Sequence, residues 1–156
     1  MQLTLDFTLE ELVISQTAER QGLDNSPSAD IIDNLTNLCV NLLQPLRDHI
    51  NQAIHISSGY RSVAVNAAVG GTSNSQHVLG QAADTSVFTM STPEWAQTVI
   101  SSGILFDQLI LEFYDPAKGP NSGWVHLSWQ QGCRNEIWTA KRMPNGKTEY
   151  YRGLVI

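Results

Sequence analysis

Of the four histidines in this 156-residue chain, two stand where their side chains can converge with a carboxylate. His77 lies in Ser75-Gln-His-Val-Leu-Gly-Gln-Ala-Ala-Asp84, so a His and an Asp seven residues apart bracket one Gly and two Ala. Small residues let the backbone fold tightly enough for both side chains to reach one point. His126 lies in Trp124-Val-His-Leu-Ser128, where alternation puts Trp124, His126 and Ser128 on one strand face and Val125 and Leu127 on the other. His, Asp and His make three of the four ligands of a tetrahedral Zn²⁺ and leave one position open, as in a catalytic rather than a structural site. Two nitrogens and one carboxylate favour zinc over magnesium or calcium. With four His and eight Asp in the chain, the same spacing also arises by coincidence, so a metal-free protein is the competing reading.

The other candidates are weaker. His49 falls near the end of a predicted helix, where the dipole favours a cation and a surface role suffices. His55 alternates with Ile54 and Ile56 and faces away from them, which suits a structural role. Cys39 sits in an apolar helical stripe and Cys133 follows a Gly; both read as free thiols, Cys39 in the core. There is no CxxC or Cys/His cluster of finger spacing. Nine Lys+Arg against fifteen Asp+Glu give a net charge of −6, which disfavours nucleic acid or anionic lipid as the main partner. No apolar run approaches the ~20 residues of a membrane span, and the first residues form neither a basic n-region nor an apolar h-region.

The elements that must position these groups follow from periodicity and caps. Thr8-Leu-Glu-Glu11 is a capping-box pattern opening a helix to about Arg20. Ser28 caps a longer helix whose apolar stripe runs from Ile31 to Leu46, with Pro45 expected to kink or interrupt its last turns. Residues 53–57 alternate as a strand, 62–69 read as a short helix, 72–81 as a loop and 82–88 as a strand. Ser91-Thr-Pro-Glu94 starts a helix to about Ser102. Strands are then predicted over 106–113, 123–129, 135–142 and 147–153, with Pro144-Asn-Gly146 as a hairpin turn. Helices first and an antiparallel meander last make an α+β fold in a single domain over 1–156, N-terminal helices packed on an antiparallel sheet.

Several strings together resemble one family. Ser58-Gly-Tyr-Arg-Ser62, Asn66-Ala-Ala-Val-Gly-Gly71, Ser75-x-His77-x-x-Gly80-x-Ala82-x-Asp84 and Trp124-Val-His126 occur in the order found in the zinc D-Ala-D-Ala carboxypeptidases, the peptidase M15 family, whose fold is shared with the Hedgehog signalling domain. Phe7-Thr-Leu-Glu-Glu-Leu, Asp24-Asn-Ser-Pro27 and Pro45-Leu-Arg47 also look like that family, so the similarity covers nearly the whole chain. The resemblance implies one Zn²⁺ held by His77, Asp84 and His126, and Arg61 in the cleft pairing with a substrate carboxylate through its planar fork of donors. It also implies that the Ser75 hydroxyl bonds a ligand or the substrate backbone; capping of its own loop fits equally.

One position departs from the pattern. Many members carry an acidic residue three positions before the last histidine, where it serves as general base; here that position is Gly123. Glu112 is the candidate replacement, because Gln108, Ile110 and Glu112 share one face of a strand beside the one bearing His126. Asp107 and Asp115 stand in reserve. Tyr60, Trp124, Trp129, Trp138, Tyr150 and Tyr151 could wall a cleft, and Trp124 is placed near the site by the face it shares with His126. The expected function is a zinc peptidase acting on the peptidoglycan stem peptide, as carboxypeptidase or murein endopeptidase, with a phage-type endolysin among the forms expected. The alternative is a non-catalytic zinc-fold module that binds or builds. A monomer is expected, made in the cytoplasm and acting at the cell wall after lysis, or else trimmed of an export signal.

Overall fold

A computed structural model describes residues 1–156. Six α-helices and six strands follow the order α1 (Leu9–Val13), α2 (Gln16–Gln21), α3 (Ala29–Leu38), α4 (Gln44–Ile50), β1 (His55–Ser58), α5 (Val63–Ala68), β2 (Ala82–Ser86), α6 (Thr92–Ser102), β3 (Gln108–Glu112), β4 (Trp124–Ser128), β5 (Glu136–Arg142) and β6 (Thr148–Arg152). The result is an α+β fold, and no helix is long and apolar enough to cross a membrane.

The first helix is shorter than its sequence suggests. Thr8 and Glu11 form the capping box, but the chain turns extended at Ile14 and Ser15 caps a second helix by accepting from the Ala18 N–H. Pro45 interrupts the long helix as expected, through a π turn at Cys39–Leu43 that leads into α4. Proline has no N–H to give to the preceding turn, and the wider turn absorbs the mismatch.

The strand order is β1-β2-β4-β3-β5-β6. This corrects the expected antiparallel meander: β3 and β5 run parallel, and the other four pairings are antiparallel. The reason is edge availability. One edge of β4 pairs with β2 and the other with β3, so β5 cannot lie beside β4 as a meander requires and joins the free edge of β3 instead.

Alternation along the central strands divides the sheet. Ala83, Leu109, Leu111, Val125 and Leu127 join Leu35, Leu38, Leu42, Leu46, Trp95 and Val99 of the helices in one apolar core. Asp84, Ile110, Glu112, Trp124 and His126 alternate with them on the opposite face. Cys39 belongs to the core, where burial pushes its thiol up to about 12, and neither cysteine is bridged.

Candidate active site

Register brings the predicted ligands together. Asp84 of β2 and His126 of β4 are direct cross-strand partners, with Asp84 Oδ1 3.2 Å from His126 Nδ1. His77 arrives from the loop before β2, its Nε2 3.3 Å from the same carboxylate oxygen. All three are buried, and their ligand atoms lie within 4.8 Å of one another.

Proton accounting tests whether a metal fits. His77 Nδ1 lies 2.7 Å from the Gly59 carbonyl oxygen. A carbonyl only accepts, so Nδ1 carries the proton, and in the neutral ring Nε2 is a bare lone pair. That lone pair meets Asp84 Oδ1, another acceptor. Without a positive charge between them the two repel, and protonation would bury an imidazolium. A divalent cation shared by the three side chains resolves the conflict, and the bond from Nδ1–H to a backbone carbonyl is the outer contact that zinc-binding histidines make. The residues therefore fit zinc in a site with an open position.

Asp84 is further held by Arg61, whose Nη2 donates to Oδ2 at 3.1 Å while Nε donates to Ser58 Oγ at 3.0 Å. Burial alone would raise the Asp84 pKa; positive charge at His77 and His126, whether on the rings or on a cation they share, outweighs it and holds the carboxyl well below the usual range. The Ser-Gly-Tyr-Arg turn is thus an assembly in which each residue has a task. A Cβ on Gly59 would stand 2.2 Å from the Leu12 carbonyl oxygen, so only glycine lets this turn lie against α1. Asn25 closes it, donating to the carbonyls of Val13 and Tyr60 and accepting from the Ser62 N–H.

Glu112 stands beside the cluster, Oε1 3.6 Å from His126 Nδ1. Pairing of Ile110 with His126 and of Glu112 with Trp124 places it diagonally across from the histidine on the same face. Burial and the Asp84 charge push its pKa up to about 7, against the pull of His126, Arg61 and the Trp124 indole. Gly123 has φ +67, and a Cβ there would lie 2.2 Å from the Glu112 carbonyl oxygen and 2.7 Å from Phe113 C. Side chains are excluded at that position, so the carboxylate nearest the ligands comes from the neighbouring strand.

The reserve carboxylates are committed elsewhere. Asp107 accepts from Arg134 and Gln76, and Asp115 caps a short 3-10 turn through the Ala117 N–H. Ser75 Oγ accepts from the His77 N–H at 3.3 Å, the loop-capping role, and also lines the cleft. His55 is exposed and stacks on Phe88, and His49 is exposed near the end of α4. Among the aromatics, Tyr60 is core, Trp138 lies under Arg152, and Tyr150 and Trp124 line the cleft.

That cleft has two arms. One, of about 820 Å³, is lined by His77, Glu112, His126, Ser75, Arg142 and Tyr150 among others. The second, of about 550 Å³, includes Ser15, Arg20, His55, Ser57 and Asp84. Arg61, Val69 and Trp124 line both. The Trp124 indole N–H is buried there, near enough to Glu112 to lower its pKa but completing no hydrogen bond in the chain. Two parts of the site were not read from sequence: the Gly59 carbonyl that orients His77, and the wall made by Phe113 and Arg142. The first is a backbone atom and leaves no residue-type signal beyond its glycine.

The family model for Peptidase M15 matches residues 5–115, which takes in Arg61, Ser75, His77, Asp84 and Glu112. Trp124 and His126 lie beyond the matched segment and are joined to it by the β2–β4 pairing. No curated protein matches the chain.

Proposed function

The chain belongs to the peptidase M15 family, and from that premise we propose that it is a zinc endopeptidase cleaving within the peptidoglycan stem peptide. The observation that supports internal cleavage is the pair of pockets that share Arg61 and Trp124 as lining, which offers room on more than one side of these residues. Removal of a single terminal residue calls for a site closed beyond the substrate carboxylate; a peptide cut internally needs room in both directions.

Held by His77, Asp84 and His126, Zn²⁺ supplies Lewis acidity and a water that ionises near neutral pH. The remaining work falls to side chains of the chain itself. Glu112 Oε1 takes the proton of the attacking water and returns it to the nitrogen of the leaving amine. Arg61 fixes Asp84 through Nη2 and keeps Nη1, which bonds nothing in the chain, for a substrate carboxylate. The Trp124 N–H, a buried donor beside Glu112 that completes no hydrogen bond in the chain, gives one to a substrate carbonyl. Ser75, which lines the same pocket, bonds the substrate backbone.

Digestion of purified sacculi, with the new termini identified by mass spectrometry, tests this reading. Muropeptides opened inside the stem are expected. Free D-Ala as the sole product would replace internal cleavage by carboxypeptidase action, and no product with zinc bound would favour the non-catalytic module.

A further inference from the structure

Three arginines line the larger arm of the cleft, and two already have counter-ions. Arg61 is paired with Asp84, and Arg134 with Asp107 and Glu136. Arg142, near the end of β5, has no carboxylate within ion-pairing distance and donates no hydrogen bond within the chain. Its guanidinium lies instead over the Phe113 ring, 4.7 Å from the centroid. A cation parked on an aromatic face is oriented without using its N–H donors, which all remain available to a ligand.

The shelf beneath it is fixed. Phe113 has φ +57, donates its N–H to the Ala140 carbonyl at 2.9 Å, and sets its ring edge against Trp124 with centroids 5.4 Å apart. Register then connects Arg142 to the reacting groups. Trp124, Glu112, Ala140 and Tyr150 pair in one row across four strands, and Arg142 lies two residues beyond Ala140 on the same face. Its Cα is on the order of 7 Å along the strand from that row, about the span of two extended residues. Ordinary exposed arginines point into water; this one is held on the wall of the cleft, in a molecule of net charge −6. Its hairpin lies outside the residues that the family model matches.

We propose that Arg142 is a specificity-determining residue that binds a pendent carboxylate of the substrate, one or two residues from the bond cleaved. The proposal rests on reading the cleft as a peptidase site. Peptide stems carry such carboxylates off the main chain where an acidic residue is linked through its side chain or a diamino acid keeps its own carboxyl. A planar fork of donors suits them better than an ammonium does.

The test compares two synthetic stem tetrapeptides, one with its pendent carboxylates free and one with them amidated, on the wild-type holoenzyme and on Arg142→Ala and Arg142→Lys. For the acid peptide, Arg142→Ala is expected to raise KM by about tenfold or more, as loss of a charged hydrogen-bonded pair does, with kcat nearly unchanged. The amidated peptide should be indifferent to the substitution, and Arg142→Lys should recover part of the loss. An equal change for both peptides, or none for either, overturns the proposal. If the wild type cleaves neither peptide, the endopeptidase reading falls, and calorimetric titration of the same peptides judges Arg142 by itself. A preference for the acid peptide that Arg142→Ala abolishes supports it; equal binding of the two, or none, overturns it.

Discussion

Asp84 and Asp107 are the two most deeply buried carboxylates of this fold, and their neighbours give them opposite tasks. Asp107 is surrounded by donors: the N–H and Nε of Arg134 reach Oδ1, and Arg134 Nη2 and Gln76 Nε2 reach Oδ2. Burial would raise its pKa, but these bonds, Arg134's first, and a further one from Gln130 hold it at about 2. Asp84 accepts from Arg61 at one oxygen, while its other oxygen meets the bare Nε2 of His77 and the Nδ1 of His126. A buried carboxylate ringed by donors is complete and rigidifies the chain. One that meets other acceptors is incomplete until a cation arrives. The pair shows why burial and an aspartate do not by themselves make a metal site; the proton inventory of the neighbours does.

The comparison breaks most visibly by substitution of the two residues to Asn. Asp84→Asn is expected to lose stoichiometric zinc, measured by elemental analysis after gel filtration, and to lower turnover to background. Asp107→Asn should keep full zinc occupancy. Zinc retained at full affinity in Asp84→Asn would remove that residue from the ligand set.

Glu112→Gln sharpens the contrast between holding a cation and moving a proton. It should bind zinc as the wild type does while kcat falls by roughly 10²- to 10⁴-fold, the usual share of a general base. Adding Gly123→Glu to that variant restores the acidic residue of the family pattern but should not restore turnover. The new Cβ would sit 2.2 Å from the Glu112 carbonyl oxygen at a φ of +67, so the double variant should also melt earlier, by ~1–3 kcal/mol of strain. Recovered activity in the double variant would mean that position 123 can host the base after all.

Much of this site is legible in the sequence because its geometry is local or set by strand alternation. The faces of β3 and β4 follow from period two, which put Glu112 with Ile110 and His126 with Trp124 before any pairing was known. The capping boxes at Thr8 and Ser91 are equally local. What escaped depends on partners far along the chain. The parallel union of β3 and β5 follows from β4 being closed on both edges by β2 and β3, and no property of residues 136–142 reports it. Asp107 resembles a spare base until Arg134, 27 residues later, is seen to close it. Arg142 reads as a surface charge until Phe113 is found beneath it.

The smallest effect expected separates the two aspartates by pH. The folded pKa of Asp107, about 2, lies below the ~3.9 of an unperturbed Asp. A depressed carboxyl stabilises the fold above its unfolded pKa, and that contribution fades as pH falls toward the folded value. Arg134 is about half exposed and can turn to water when its partner is lost, which keeps the cost of Asp107→Asn near ~2 kcal/mol. For a chain of this length that is about 4–8 °C in Tm at neutral pH. Differential scanning calorimetry should find this gap intact above pH ~5 and narrowing between pH ~4 and 2. A gap that stays constant across that range would mean that the Asp107 charge, and so the clamp, adds nothing to stability. The gap between wild type and Asp84→Asn should instead follow metal, shrinking when a chelator strips the wild type at constant neutral pH. The ion then stands where Arg134 stands for Asp107, as the partner that completes a buried carboxylate, with the difference that it can be removed.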